Sequence, residues 1–284
     1  MRLREYMRDC AWKLWEPLSG KRTHFPDFLG IGAQKAGTTW LHENLSRHPE
    51  VFLPKAKELH FFDANYHRGM ARYRSYFRKH TDKLCGEITP AYGHLPAQRI
   101  KVIHDANPGL KLILLLRHPA QRAWSGATMD LAERRGRAAS DVPLHEFETF
   151  LRSPKSIQRS SYINIIDSWT AQFPEEQLFI GFYEDIIIRP VELFRQVLRH
   201  IGANDNIQPE CYALDQVVIP RVTPDKESGG ISQTLAQPRP QGDIPVPLLR
   251  LLEKLYMDEI KQLAHRFGPP CENWLRQMQD GPRP

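Results

Sequence analysis

The chain has 284 residues, 41% hydrophobic and 25% charged, which is enough to bury a sizeable core and excludes a disordered or fibrous class. Its 39 Lys and Arg residues outnumber 33 Asp and Glu residues for a net charge of +6, which suits anionic partners. Apart from 133–137, however, the excess is spread too evenly to mark a nucleic-acid protein. The most apolar run, 112–116, has only strand length, and the cysteines at 10, 85, 211 and 271 lack metal-ligand spacing, so neither a membrane span nor a metal centre is expected.

In chain order, residues 1–24 read as a basic helical extension. Its mixed charges argue against a secretory signal, and Trp12, Leu14 and Trp15 could lie on the protein or touch a membrane surface. Residues 25–284 read as a single domain. It opens with a strand over 27–33 and a threonine-capped helix at Thr38–Ser46, followed by a helix over 68–78 and a strand at Leu84–Ile88. A helix over 95–107 stops at Asn107-Pro108-Gly109, Lys111–Leu116 is an unbroken apolar strand, and Pro119 starts a helix running to 133. Helices over 162–172 and 191–201 flank a strand at 178–183, and an irregular stretch over 204–247 precedes a helix over 248–267. The alternation predicts an α/β, P-loop-like three-layer fold with a central parallel sheet between helices, and a C-terminal cap over 203–284. Reduced thiols and the missing signal point to a cytoplasmic setting.

Three segments carry chemistry. Gly32, Gly37 and Thr39 match the spacing of a Walker-type phosphate loop, but Thr38 occupies the usual lysine position and the lysine, Lys35, lies inside the loop. A loop of this kind gathers backbone N–H groups at a helix N-terminus and favours an anion. At the end of the Lys111 strand, where Mg-dependent relatives of such loops place a carboxylate, the sequence gives Arg117, a direct cation for a second anion, with Ser125 two turns along the next helix. Between them, Glu58, His60 and Asp63 stand beside Phe61 and Phe62. An apolar setting would raise the proton affinity of Glu58 and suit it to general-base work, whereas an ion pair of Glu58 with Lys57 or Lys55 would make it structural.

QKAGTTWL, KELHFFD, LLLRHPAQRAWS and FIGFYEDI, in this order, resemble the sulfotransferase family that uses 3′-phosphoadenosine 5′-phosphosulfate (PAPS). KELHFFD is nearest the heparan-sulfate type and its soluble bacterial relatives. The resemblance runs from about 25 to 201, with an echo at Asn273-Trp274-Leu275. It implies a PAPS cofactor without a metal, held by Lys35, Ala36, Gly37, Thr38 and Thr39 at the 5′-phosphosulfate and by Arg117 and Ser125 at the 3′-phosphate. It offers Trp40 and Tyr183 as adenine contacts, though either could be a core aromatic. It makes Glu58 the catalytic base, with Lys35 and His60 supporting it, and a small-molecule or carbohydrate acceptor lined by His60, Asp63, Tyr66, Tyr92 and His94. The C-terminal phosphate-binding segment of heparan-type relatives is matched imperfectly here, with Lys226 as the nearest candidate. Two other classes fit parts of the pattern: a nucleotide-dependent kinase with a degenerate loop, and a non-catalytic nucleotide-binding protein.

Overall fold

The computed structural model describes residues 25–80, 82–215, 218–224, 231–235 and 244–280. The expectations for the N-terminal extension and for Lys226 fall outside them. The elements are β1 (Phe28–Gly32), α1 (Thr38–Ser46), β2 (Val51–Phe52), α2 (Met70–Arg74), β3 (Leu84–Ile88), α3 (Ala97–Ala106), β4 (Lys111–Leu116) and α4 (Pro119–Leu131). After them come α5 (Leu144–Leu151), α6 (Pro154–Gln158), α7 (Tyr162–Thr170), β5 (Leu178–Phe182), α8 (Tyr183–Ile188), α9 (Pro190–Ile201), β6 (Val218–Pro224), β7 (Ile231–Leu235), α10 (Val246–Phe267) and α11 (Pro269–Asp280).

Five strands form one sheet in the order β2-β3-β1-β4-β5, and every neighbouring pair is parallel. β1 is buried at all five positions, as a strand covered on both faces must be. Its Phe28 pairs with Gly86 of β3, where a side chain would collide with the Phe28 ring, so a glycine there admits the aromatic. The register against β4 shifts between Gly30 and Gly32, where the chain leaves the sheet for the loop that follows. Because the strands are parallel, their carboxyl ends share one edge, the usual place for a ligand in such sheets.

The helices bury one stripe each. α9 hides Leu193, Phe194, Val197, Leu198 and Ile201 and ends at Gly202 in a left-handed C-cap with φ 82°. α10 buries Leu248, Leu251, Leu252, Tyr256, Ile260 and Leu263. α11 brings Trp274 behind the strand ends, where its indole N–H donates to Glu184 Oε1 at 2.9 Å and its ring lies 5.9 Å from His118 and 5.8 Å from Phe182.

Several details differ from the sequence-based expectations. No threonine caps α1: its N-cap is Gly37, with φ 93° and no side-chain hydrogen bond. The helix expected over 68–78 is α-helical only at Met70–Arg74, because Gly69 at φ 81° starts it late and turns follow Arg74. Short helices α5 and α6 escape a periodicity reading; each is introduced by a proline at its N-cap or N1. Within the stretch expected to be irregular, β6 and β7 pair as an antiparallel hairpin.

Candidate active site

The cradle is assembled at the carboxyl edge of β1 and β4. Lys35 adopts φ 68° and Gly37 φ 93°, so the loop doubles back before α1 begins. At Gly37 any Cβ would run into the Ile186 side chain of α8, which explains why the loop's second glycine is needed. With no side chain capping it, the first turn of α1 presents its N–H groups to whatever lies in the loop. The Arg117 guanidinium donates from Nη1 to the Lys35 carbonyl at 3.2 Å and lies 4.3 Å over the Tyr183 ring, while the Tyr162 hydroxyl donates to the Arg117 carbonyl at 2.9 Å. Arg117 is 8% exposed, so this cation is fixed rather than waving in solvent.

Lys35 is a half-buried ammonium with a poor partner. Among the described residues its hydrogen bond goes to the Met129 thioether at 3.7 Å. Burial, helped by the nearby positive charges of Arg117, Lys57 and Arg134 and opposed by Glu133, pushes its pKa below the ordinary lysine value. Such a group gains from an anion. Ser125 lies one turn before Met129 on α4, on the same stripe of the helix, and so on the side that faces Lys35.

The second half of the site is the loop after β2. Glu58 at φ 60° and His60 at φ 48° are both non-glycine residues in left-handed conformations, which turn the chain sharply around Leu59. Glu58 meets Lys57 at 3.2 Å and His60 Nε2 at 3.4 Å, and the other His60 nitrogen, Nδ1, is 2.7 Å from Asp63. Lys57 also donates to Thr39 Oγ1 at 2.6 Å, so a single ammonium joins the acidic loop to the first turn of α1. The ion pair of Glu58 with Lys57 is the one the sequence offered, but spacing gives no sign that the same lysine reaches Thr39.

The expectation that burial raises the Glu58 pKa is corrected here. Burial does act upwards, but the His60 hydrogen bond and the Lys57 charge outweigh it and hold the carboxyl below its usual range. His60, hydrogen-bonded first to Asp63 and then to Glu58, is pushed up to about 10 and is cationic at neutral pH. The ion pair expected as the alternative is formed, and its cation also touches the cradle.

Other residues divide. Trp40 is a core residue rather than an open stacking platform: it is 2% exposed, its indole N–H donates to the Leu214 carbonyl at 3.1 Å, and its ring meets Phe194 edge-on. Tyr92 is 0% exposed, with its hydroxyl taking the Phe61 and Phe62 N–H groups, so it does not line an acceptor cleft. Tyr66 carries the Arg99 guanidinium 3.2 Å from its ring centroid. His94 faces a different space, a cavity of about 490 Å³ shared with Gln158, Ser161, Asn164 and Ser168. Burial, with Arg159 and Arg122 nearby, lowers its pKa to about 4 and keeps it neutral. The residues expected in one cleft are thus split between the Glu58 loop, the core and this cavity. Tyr183 belongs to the cradle, its face under Arg117 and its edge toward Gly37.

Comparison with known proteins adds the following. The family model described as "Sulfotransferase domain" matches residues 25–214. The mouse heparan sulfate glucosamine 3-O-sulfotransferase 3B1 is 31% identical over 203 residues, 67% of this chain and 50% of that protein. The membrane-associated sulfotransferase kil1 of Dictyostelium discoideum is 36% identical over 113 residues, 38% of this chain and 24% of that protein. The chain spans about half the length or less of these two relatives. A sulfotransferase from Alicyclobacillus acidocaldarius superposes with a TM-score of 0.66 at 22% identity, covering 89% of this chain and all of that one. Mouse SULT7A1, solved with PAP, superposes with a TM-score of 0.56 at 16% identity, covering 94% and 95%. At these identities the structures establish a shared fold. No described helix is long and apolar enough to cross a membrane.

Proposed function

Because the chain belongs to the sulfotransferase family, we propose that it transfers the sulfuryl group of PAPS to a hydroxyl or amine of an acceptor, in the first instance a carbohydrate or hydroxylated small molecule. The observation that carries this reading is the Lys57 bridge, which sets the Glu58 carboxylate one ammonium away from the helix N-terminus of the cradle. A phosphate-binding loop alone would serve many reactions. A carboxylate held in its deprotonated form against that loop serves one that must remove a proton from an incoming nucleophile.

The residues fit the cofactor. The half-buried Lys35 ammonium, whose partner is a thioether, and the uncapped first turn of α1 would hold the phosphosulfate end, while Arg117 and Ser125 would hold the 3′-phosphate. Tyr183, braced by Arg117, would offer its ring to the adenine. When bound, PAPS supplies an activated sulfuryl group on a mixed anhydride whose S–O bond breaks to leave adenosine 3′,5′-bisphosphate. Glu58 takes the acceptor proton on a carboxylate oxygen. Lys35 offsets negative charge as it grows on the leaving oxygen, the kind of electrostatic stabilisation that accounts for much of the rate in group transfer. His60, cationic and clamped by Asp63, orients Glu58 and keeps it ionised. Positioning supplies the remainder.

The relatives named for heparan sulfate support a carbohydrate acceptor. The test is incubation with isotopically labelled PAPS and a mixed panel of neutral sugars, sulfated oligosaccharides, phenols and amines, with products read by mass spectrometry. Label is expected on a hydroxyl or amine acceptor. Label on no acceptor, together with Mg-dependent ATP turnover, would overturn the reading.

A further inference from the structure

Directly behind the Glu58 loop lies a buried carboxylate that the chemistry above does not use. Glu87, in β3, is 2% exposed. Its Oε1 accepts from the Tyr73 hydroxyl at 2.6 Å and from the Tyr92 hydroxyl at 2.9 Å, and its Oε2 accepts from Thr89 Oγ1 at 2.9 Å. The Tyr92 hydroxyl, having given its proton to Glu87, uses its lone pairs to accept the N–H groups of Phe61 at 2.9 Å and Phe62 at 3.3 Å. Tyr73 meanwhile stacks on the Phe61 ring, with centroids 4.6 Å apart.

These contacts fall on Phe61 and Phe62, which follow directly on the left-handed residues Glu58 and His60. A non-glycine residue in that region is strained and persists only where the surroundings over-determine it. Buried ionisable groups are expensive in general, and an apolar side chain at position 87 would pack against the same rings at lower cost. What an apolar residue could not do is accept several donors at once and so orient the Tyr92 hydroxyl toward two backbone N–H groups.

We propose that Glu87 is a positioning residue for catalysis: through Tyr92 it locks the backbone that aims the Glu58 carboxylate at the acceptor. The inference rests on the assignment of Glu58 as base, and the role differs from plain fold support because the network ends on two amides of that one loop. Burial pushes the Glu87 pKa up to about 7 against the pull of its hydroxyl partners, and the titratable groups that face it are Tyr73 of α2 and Tyr92 of the turn after β3.

The test uses the full chain with Glu87→Gln and, as a second variant that leaves the carboxylate in place, Tyr92→Phe. Hydrogen exchange at Phe61 and Phe62 is expected to accelerate in both, with exchange in β1 and β4 unchanged. Turnover is expected to fall about 10–100-fold, while the affinity for adenosine 3′,5′-bisphosphate by calorimetry stays the same. In the double variant Glu58→Gln/Glu87→Gln, the second change should add no further loss, since the group it positions is gone. Unchanged exchange at those two amides overturns the proposal, as does a full additional loss in the double variant. Should Glu58→Gln turn over at the wild-type rate, the base assignment fails and with it the catalytic sense of the proposal. Accelerated exchange would then leave Glu87 as a support of the loop alone.

Discussion

The cradle and the Glu58 loop sit side by side yet are held by different means. The turn of the cradle is local: it is closed by its own glycine and its helix starts within it, while its cation Arg117 is brought from 82 residues away at the end of the neighbouring strand. The Glu58 loop has no glycine where its backbone turns left-handed, and it is held from behind by the Tyr92 hydroxyl, 31 and 30 residues from the Phe61 and Phe62 amides it meets. A turn that receives an anion can be written into one strand-loop-helix unit. A left-handed turn without a glycine needs a scaffold behind it.

Changes on either side should therefore have different signatures. The largest effect is expected from Glu58→Gln, which should lower kcat by about 10²–10⁴-fold while calorimetric binding of adenosine 3′,5′-bisphosphate is retained. Equal loss of both would erase the division between the regions. Arg117→Met should do the reverse, weakening bisphosphate affinity by roughly 10–100-fold through the loss of a charged hydrogen-bond donor, with kcat at saturating cofactor much less affected. If kcat falls instead, the arginine serves the chemistry and the comparison breaks.

Gly37→Ala tests whether the cradle is as self-contained as its geometry suggests. The positive φ and the approach of Ile186 should cost roughly 1–3 kcal/mol in urea unfolding. An unchanged midpoint would mean the loop relaxes freely. The smallest effect is expected at His60. Its folded pKa of about 10 lies above the ordinary 6.5, so its protonated form stabilises the fold. That contribution is fully present below pH 6.5 and is lost as pH rises through 10. The stability gap between wild type and His60→Asn should shrink over that window in urea melts, and a gap that is flat with pH would show that the Asp63 and Glu58 contacts do not depend on charge.

The same contrast explains what could be read from the chain. The cradle was legible because its residues follow one another: a buried run, two glycines, a lysine, two threonines, and a second apolar run ending in arginine. The parallel sheet followed from the same alternation. Glu58, His60 and Asp63 were legible as a cluster, but the sign of the Glu58 shift was not, since it depends on His60 and Lys57 turning inward across a left-handed bend. Trp40, Tyr92 and His94 are adjacent in sequence to site residues and diverge from them in space, because neighbours in a strand-end turn can face the core, the site or a separate cavity. Glu87 gave no signal at all: a lone glutamate before Ile-Thr-Pro reads as a surface residue near a strand end until three hydroxyls are found around it.

The indole of Trp274, which donates to Glu184 just before the strand-end region of Arg117, has a consequence for the order of events during synthesis. Its helix α11 lies beyond residue 214, where the family match stops. A ribosome that has released everything through α8 has delivered Lys35, Gly37, Arg117 and Tyr183, but not the group that satisfies the half-buried Glu184 carboxyl, whose proton affinity burial raises. Domains are made from the N-terminus onward. The contact from Trp274 therefore closes only after the residues of the anion site have been made.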